Sequence, residues 1–188
     1  MAETSAPRVF PWVANVGGAS IALRLMTVQD RDLFLAFVKK QPPEDLFFLL
    51  MDLSTPEGMA RKLRGIEAGQ DTTVLAEQDG KLLGYGSLHH GETRWFRHLG
   101  EMRLLVAPNQ RSRGLGKLLA REAFSIARGL GLRKIVARMA ASQAGARRLF
   151  EDLGFHIEAL LADWAMDRHG KTQDLVLMSY DMSGFHDS

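Results

Sequence analysis

The residues with the clearest chemical use are residues 111–116, Arg-Ser-Arg-Gly-Leu-Gly, which precede a long amphipathic segment. The first N–H groups of a helix lack partners within the helix and lie at the positive end of its dipole, so they bind anions. Gly114 and Gly116 let an anion approach the backbone because they carry no Cβ. This spacing therefore predicts a phosphate site. The side chains that add positive charge to it are Arg111, Arg113 and Lys117.

The pattern Arg-x-x-Gly-x-Gly differs from the better-known phosphate motifs. It is neither the Gly-x-Gly-x-x-Gly of dinucleotide-binding folds nor the Gly-x-x-x-x-Gly-Lys-[Ser/Thr] of nucleotide-binding loops. A short glycine pattern is weak by itself. Its position after an apolar strand that ends before Pro108, and before an amphipathic helix, strengthens the interpretation.

Positive charge is concentrated around this turn. Residues 101–150 contain 11 Lys and Arg against 2 Asp and Glu, whereas the remaining residues contain 13 against 20. A contiguous basic segment in an otherwise acidic chain attracts a phosphorylated cofactor, a nucleic acid or an acidic surface. The alternative is a set of solvated helix faces.

Composition narrows the class of protein. The chain has 188 residues, 46% hydrophobic and 24% charged, which suits one globular domain with a sizeable core. It has no cysteine, which excludes disulfides, thiolate nucleophiles and cysteine-rich zinc sites. No apolar run reaches the roughly 18 residues of a membrane span, and residues 1–20 lack a signal-peptide pattern. We therefore expect a cytoplasmic protein without membrane contact.

Hydrophobic periodicity and turn residues predict one mixed α/β sheet with helices on its faces. Residues 1–20 show no periodicity and are interpreted as an extension. Asp79-Gly80 is a strong hairpin signal between two strands. Strands are predicted over residues 21–26, 72–77, 81–89, 98–106, 134–139, 155–166 and 175–182. Helices are predicted over residues 27–41, 44–51, 56–68, 114–131 and 142–153.

Two stretches resemble motifs of the GNAT acyltransferase superfamily. Residues 104–119 (LLVAPNQRSRGLGKLL) closely resemble its motif A, Gln/Arg-x-x-Gly-x-Gly/Ala, and residues 143–155 (QAGARRLFEDLGF) resemble its motif B. The resemblance implies a single mixed, mostly antiparallel sheet of about six to seven strands, splayed at the cofactor cleft and flanked by helices. It implies an acyltransferase domain over residues 21–182, with an extension over 1–20 and a tail over 183–188.

The resemblance also implies acetyl-CoA as cosubstrate. In this family the strand before the turn has a bulge and splays from the next parallel strand, and the pantetheine arm lies in that cleft. Gln143 stands where many members have Asn, and Phe150 where many have Tyr. The residues expected to bind the cosubstrate are Leu104, Leu105, Val106, Arg111, Ser112, Arg113, Gly114, Leu115, Gly116, Lys117, Gln143 and Phe150.

Acyl transfer to an amine requires a group that takes the amine proton. Glu101 is our candidate for this general base, because some relatives carry a Glu at this place and burial raises the pKa of a carboxyl group. The alternative is a structural carboxylate paired with Arg103 or a neighbouring strand. Phe150 cannot donate a proton, so the acid that many relatives have there is missing. His98 is an alternative base.

Other candidate residues concern the acceptor and metals. Trp95, Phe96 and the acidic segment 44–52 are candidates for the acceptor pocket. His89 and His90 are adjacent on a strand and therefore point to opposite faces. The spacing of the histidines does not suit a metal site, so we expect no bound metal.

The leading interpretation is an N-acetyltransferase that moves the acetyl group from acetyl-CoA to a primary amine of a small molecule or protein. A non-catalytic acyl-CoA sensor is the alternative, motivated by Phe150. A nucleic-acid-binding protein is a third interpretation. It is disfavoured, and no nucleic-acid partner is expected, because aromatic residues do not alternate with the basic ones. A homodimer is left open.

Overall fold

The computed structural model describes residues 9–46, 49, 51–91, 94–166 and 169–182. The predicted helix over 44–51 begins one residue earlier, at Pro43, and its described helical part ends at Leu46; the described residues 49 and 51 are not helical. Residues 47, 48 and 50, like the tail 183–188, lie outside the described part. None of the described helices is long and apolar enough to cross a membrane. The strands are β1 (Trp12–Val16), β2 (Ala19–Leu25), β3 (Asp71–Gln78), β4 (Lys81–His90), β5 (Leu99–Val106), β6 (Lys134–Ala140), β7 (His156–Met166) and β8 (Thr172–Asp181). The helices are α1 (Arg31–Val38), α2 (Pro43–Leu46), α3 (Pro56–Glu67), α4 (Leu115–Gly129) and α5 (Ala144–Asp152).

All eight strands form one sheet in the order β1-β2-β3-β4-β5-β6-β8-β7. Every neighbouring pair is antiparallel except β5 and β6, which run parallel. This confirms the predicted mixed, mostly antiparallel sheet. The predicted count of six to seven strands is wrong, because the segment before β2 contributes an eighth.

The additional strand is β1, in a segment that we had expected to be an irregular extension. It pairs with β2 through a hairpin whose turn residues, Gly17 and Gly18, both have positive φ (59° and 83°). Only Ala14 of β1 is buried. A five-residue strand with one buried side chain shows no usable alternation, but a Gly-Gly pair before an apolar strand is a hairpin signal.

The two faces of β4 have different neighbours because side chains alternate along a strand. Gly84 and Gly86 lie on the face covered by α4, where a Cβ on Gly86 would come within 3.3 Å of Leu119. Tyr85 lies on the other face, with its ring 4.8 Å from that of Phe34 in α1. The absence of side chains on one face therefore lets α4 pack close to the sheet, while the opposite face forms a separate core with α1 and α3.

The sheet opens between β5 and β6. Their pairing runs only from Leu99–Lys134 to Glu101–Val136, while β5 continues to Val106 along β4. This confirms the predicted splay. The expected bulge in β5 is not found in its pairing with β4, whose register is continuous from Gly84–Val106 to His90–Gly100. The β5–β6 pairing therefore ends after Glu101–Val136 although β5 has no register shift against β4 and β6 has none against β8.

Candidate active site

The turn over residues 111–116, here called the anion loop, has the backbone of an anion site. Ser112 and Gly114 both lie in the left-handed region, with φ of 60° and 91°, and Gly114 is the N-cap of α4. Left-handed residues next to right-handed ones make successive N–H groups converge, and the first N–H groups of α4 add to them. The side chains of Arg113 and Lys117 are exposed at this point. The loop therefore offers both amides and cations to a phosphate.

The two glycines of the anion loop do different things. At Gly114 the positive φ disfavours any residue with a Cβ, although there is open space around it. At Gly116 a Cβ would lie 3.2 Å from a methyl carbon of Leu149 in α5. Gly114 therefore shapes the turn, whereas Gly116 allows α4 to approach α5.

Arg111 lies across the end of β5. Its Nε donates to the carbonyl of Val106 at 3.2 Å, and its guanidinium forms an ion pair with Asp45 of α2. The guanidinium therefore links the end of β5 to the acidic segment, on the side away from α4. A phosphate in the loop has to compete with Asp45 for this cation.

The other predicted contacts of the cosubstrate divide into two groups. Leu104 and Val106 are partly buried and pack towards α4, whereas the side chain of Leu105 is 5% exposed and lies in the core around Tyr85. The backbone of these three residues has no strand partner on the side of β6. Gln143 and Phe150 have structural contacts. The amide oxygen of Gln143 accepts from the Ala140 N–H at 3.2 Å, and Phe150 packs edge-to-face on Phe155 at 4.9 Å.

Three charged residues lie where β5 and β6 diverge, and we call them the fork cluster: Glu101, Arg103 and Arg138. Arg138 donates to both Glu101 oxygens, from Nε at 2.9 Å and from Nη2 at 2.6 Å, and Arg103 also donates to the same carboxylate. Nη1 of Arg103 donates to the carbonyl of Arg138 at 2.9 Å, which bridges the separating strands. Burial lowers the pKa of Arg103, and the nearby Glu101 charge opposes this shift. The pairing of Glu101 with Arg103, which we gave as the alternative to catalysis, is thus present.

A second polar group, the buried network, lies under the sheet on the α3 side: Lys62, Asp71, Thr73 and Ser87. Nζ of Lys62 is 2.8 Å from both Asp71 oxygens and 2.7 Å from the hydroxyls of Thr73 and Ser87. Burial alone would raise the pKa of Asp71. The hydrogen bond from His89 and the charge of Lys62 outweigh burial and hold that pKa at about 2. The network therefore keeps a carboxylate ionised inside the core.

His89 connects this network to a small, partly open cavity on the same face of the sheet. Its Nδ1 is 2.8 Å from Oδ2 of Asp71, and its side chain is 13% exposed. The hydroxyl of Tyr85 stays protonated, since burial raises the pKa of Tyr85. The residues that line the cavity include Met51, Leu53, Tyr85, Ser87, His89 and Arg103.

The candidates for the acceptor pocket lie in two different places relative to this cavity. Trp95 and Phe96 are 84% and 62% exposed in the turn before β5, and they do not line the cavity, nor does the exposed His98. The segment 44–52 does contribute, but through apolar side chains such as Met51. The sequence did not single out Lys62 and Asp71, nor the pairing of His89 with Asp71. The available signal was an Asp that begins one strand of a predicted hairpin and a His near the end of the other.

Comparison with known proteins finds one family. The model of the acetyltransferase (GNAT) family matches residues 37–155. An L-methionine sulfoximine/L-methionine sulfone acetyltransferase of Pseudomonas paraeruginosa is 29% identical over 135 residues, which cover 68% of this chain and 77% of the relative.

Solved structures agree. A ribosomal-protein-alanine N-acetyltransferase from Brucella melitensis is 26% identical with a TM-score of 0.70, over 85% of this chain and 98% of that one. A phosphinothricin acetyltransferase from Sinorhizobium meliloti in complex with acetyl-CoA has the same fold, with 22% identity and a TM-score of 0.70 over 86% and 88%. The matched residues 37–155 include the anion loop, the fork cluster and the cavity.

Proposed function

The chain belongs to the acetyltransferase (GNAT) family and is an acyltransferase, and from this premise we propose that it transfers the acetyl group of acetyl-CoA to a primary amine by direct attack of the amine. The observation that carries the proposal is the anion loop at the end of a strand that has separated from its neighbour. Acetyl-CoA consists of a nucleotide joined to an arm that contains amides. Its phosphates require a phosphate site, and the amides of its arm require an unpaired strand edge.

Three observations suit acetyl-CoA as the donor. The converging amides before α4, with Arg113 and Lys117, suit its pyrophosphate. The edge of residues 104–106 towards β6 suits the amides of the pantetheine arm, which would pair with it as a strand does. The solved phosphinothricin acetyltransferase, which shares this fold, contains acetyl-CoA. In this proposal Arg111 exchanges Asp45 for a phosphate oxygen.

We place the acceptor on the opposite face of the sheet, in the cavity beside the fork cluster. Arg103 lines the cavity and also bridges β5 and β6, so an amine in the cavity would lie next to the gap that receives the thioester. The relatives are named for methionine sulfoximine and for an alanine of ribosomal proteins. Both names are consistent with a primary amine as the acceptor. One names a small molecule and the other a protein, so we test both classes of amine.

Glu101 stays our sequence-based candidate for the general base, and the fork cluster gives it a competing role. Both of its oxygens accept hydrogen bonds from guanidinium groups. In that role it would hold Arg103 and Arg138 across the gap. Phe150 is buried against Phe155 and has no proton to give, so in this proposal the CoA thiolate leaves without an acid at that position.

The second candidate function is a non-catalytic acyl-CoA sensor. It is favoured by Phe150, which occupies the position of the acid found in many relatives and packs in the core. The cytoplasmic location, the domain limits and a homodimer stay predictions.

The experiment that separates the two functions is an acceptor screen that measures the free thiol released from acetyl-CoA. The panel contains L-methionine sulfoximine, an amino acid mixture, spermidine, a lysine peptide and a peptide with an N-terminal alanine, each with the wild type and with Glu101→Gln. Thiol release with at least one amine supports the transferase. Tight binding of acetyl-CoA with no turnover of any amine supports the sensor.

The donor site has its own prediction. We expect Arg113→Glu to abolish binding of acetyl-CoA in calorimetry, because the substitution places a negative charge beside the pyrophosphate. Arg133→Glu makes the same change in charge on another exposed arginine, which lies just before β6. Arg133 is near the start of β5, whereas the anion loop follows the end of β5. This control should bind acetyl-CoA normally. An unchanged affinity in Arg113→Glu would remove the anion loop from the proposal.

A further inference from the structure

His89 lines the cavity and is paired with Asp71 of the buried network, and the proposed donor site uses neither residue. We propose that His89 is the general base that takes the proton of the amine acceptor, and that Asp71 is a positioning residue that orients its imidazole. This inference rests on the acetyl transfer proposed above. It names the proton acceptor of that same site.

The geometry of the pair leaves one nitrogen for the acceptor. Asp71, His89 and Glu101 are paired residues of β3, β4 and β5, so their side chains lie on one face of the sheet. Nδ1 of His89 donates to Asp71 at 2.8 Å, which fixes the proton of the neutral ring on Nδ1. Nε2 is then the lone-pair nitrogen, on a side chain that lines the cavity.

The charges around the pair suit a base. Asp71 is paired with Lys62 on the side of α3, so the network accommodates a carboxylate without excess negative charge. When His89 takes up a proton, the resulting imidazolium lies beside Asp71 and is stabilised by it. The charged groups that face His89 are Asp71 from β3, Lys62 from α3, and Glu101 and Arg103 from β5.

His89 suits this role better than Glu101 for two reasons. The oxygens of Glu101 accept hydrogen bonds from Arg103 and Arg138, whereas the pairing of His89 with Asp71 uses Nδ1 and not Nε2. The residues lining the cavity include His89 and Arg103 but not Glu101. A base must lie within hydrogen-bond reach of the proton that it takes.

The proposed step is balanced without any further reactant. The ammonium form of the acceptor gives one proton to Nε2 of His89, and the neutral nitrogen attacks the thioester carbonyl. The C–N bond forms and the C–S bond breaks, and the electron pair leaves on sulfur. The second proton lost by the nitrogen neutralises the thiolate as CoA-SH, and His89 releases its proton to solvent.

The test uses His89→Gln with the amine of the panel that the wild type acetylates fastest. We expect kcat/KM at pH 7 to fall by about 100-fold or more, the usual contribution of a general base, with the affinity for acetyl-CoA unchanged. His90→Gln is the matched control, because His90 is the next residue of the same strand and points to the other face, towards Thr72. It should retain wild-type activity.

A pH series separates proton transfer from a structural loss. Solvent removes the proton of a typical amine as pH rises, so His89→Gln should recover by about tenfold relative to the wild type between pH 7 and pH 9. A structural defect would leave that ratio constant. A constant ratio, or a His89→Gln enzyme within about threefold of the wild type, overturns the assignment of His89 as the base.

The role of Asp71 is tested without leaving an unpaired buried charge. Lys62→Met/Asp71→Asn removes both members of the ion pair and should lower kcat/KM by at least about tenfold, with the same recovery at high pH. Added to His89→Gln, it should cause little further loss, because residues that act as a unit are not additive. Full additivity would assign Asp71 a structural role alone.

Failure of the underlying proposal has a different signature. If the wild type binds acetyl-CoA but acetylates no amine of the panel, the transferase proposal and this inference both fail. If the wild type is active and His89→Gln is equally active, only the inference fails, and a large loss in Glu101→Gln would then point to Glu101.

Discussion

Lys62 is a lysine with 2% of its side chain exposed, and four oxygen atoms lie within 2.8 Å of its ammonium nitrogen. Burial lowers the pKa of Lys62, and the charge of Asp71 opposes this shift. A buried ion pair contributes little net stability, but removal of one member leaves the other charge without compensation. The value of the pair to this protein is therefore positional, because it holds the carboxylate that contacts His89.

At this scale we expect Lys62→Met to lower the free energy of unfolding by about 3–5 kcal/mol, because Asp71 would stay buried without its cation. Chemical denaturation measures the change. Arg147→Ala is the comparison, since it breaks the exposed i,i+4 pair with Glu151 at 3.6 Å and should cost less than about 0.5 kcal/mol. A loss in Lys62→Met as small as that of Arg147→Ala would show that the network is not needed to hold Asp71.

At the scale of the element, α4 and the turn before it form one unit. Leu115, Leu119, Ala123 and Ala127 repeat at every fourth position and are buried, so the helix is held by one apolar face. Just before the helix the chain turns at Gly114, whose φ is 91°. Packing against the sheet therefore fixes the position of α4, and the backbone conformation of Gly114 sets the direction of the first N–H groups of the helix.

We expect Gly114→Ala to destabilise the protein by roughly 1–2 kcal/mol, because a residue with a Cβ is strained at this φ. Thermal unfolding would show a decrease of a few degrees, and calorimetry should show weaker binding of acetyl-CoA. Gly129→Ala, at the other end of α4, is the matched control. Gly129 has open space around it and no positive φ, so this variant should be neutral or slightly more stable. Equal effects of the two substitutions would argue against strain at Gly114.

At the scale of the whole molecule, the stability depends on carboxylates that folding keeps ionised. The pKa of Asp71 is about 2, with burial opposed by His89 and Lys62, and the pKa of Asp30 is lowered chiefly by its hydrogen bonds with Arg24. A carboxyl group whose pKa is lower in the folded chain binds fewer protons there than in the unfolded chain. Its contribution is therefore complete above the unfolded pKa and is lost as pH falls through the folded pKa.

We therefore expect the free energy of unfolding to decrease by about 2 kcal/mol or more between pH 5 and pH 2, with the buried Asp71 as a main source. Denaturation at a series of pH values measures it. In Lys62→Met the decrease should shrink, because burial then raises the pKa of Asp71 without its main cation. An equal decrease in both proteins would show that other groups cause the acid sensitivity.

The loop and helix of the proposed donor site could be predicted from the sequence because their signals are local. Residues 111–116 specify a turn before a helix through glycine, and the apolar repeat of α4 specifies the helix itself. The splay between β5 and β6 was predicted through the family resemblance, since the motif that identifies the loop also implies the strand arrangement. The extra strand β1 was missed, because a short strand with one buried residue has almost no periodic signal.

The amino-acid sequence by itself determined the family, the anion loop and the candidates for cofactor contact, since each depends on residues that are close together in the chain. Only the tertiary structure decided which residues share the cavity. The hairpin turn at Asp79-Gly80 begins with Gln78 opposite Lys81, and that register would place Asp71 opposite Leu88. A register shift between Ala76 and Glu77 moves the pairing by one residue and brings Asp71 opposite His89. Because one residue of register exchanges the two faces of a strand, this bulge decides whether Asp71 and His89 meet.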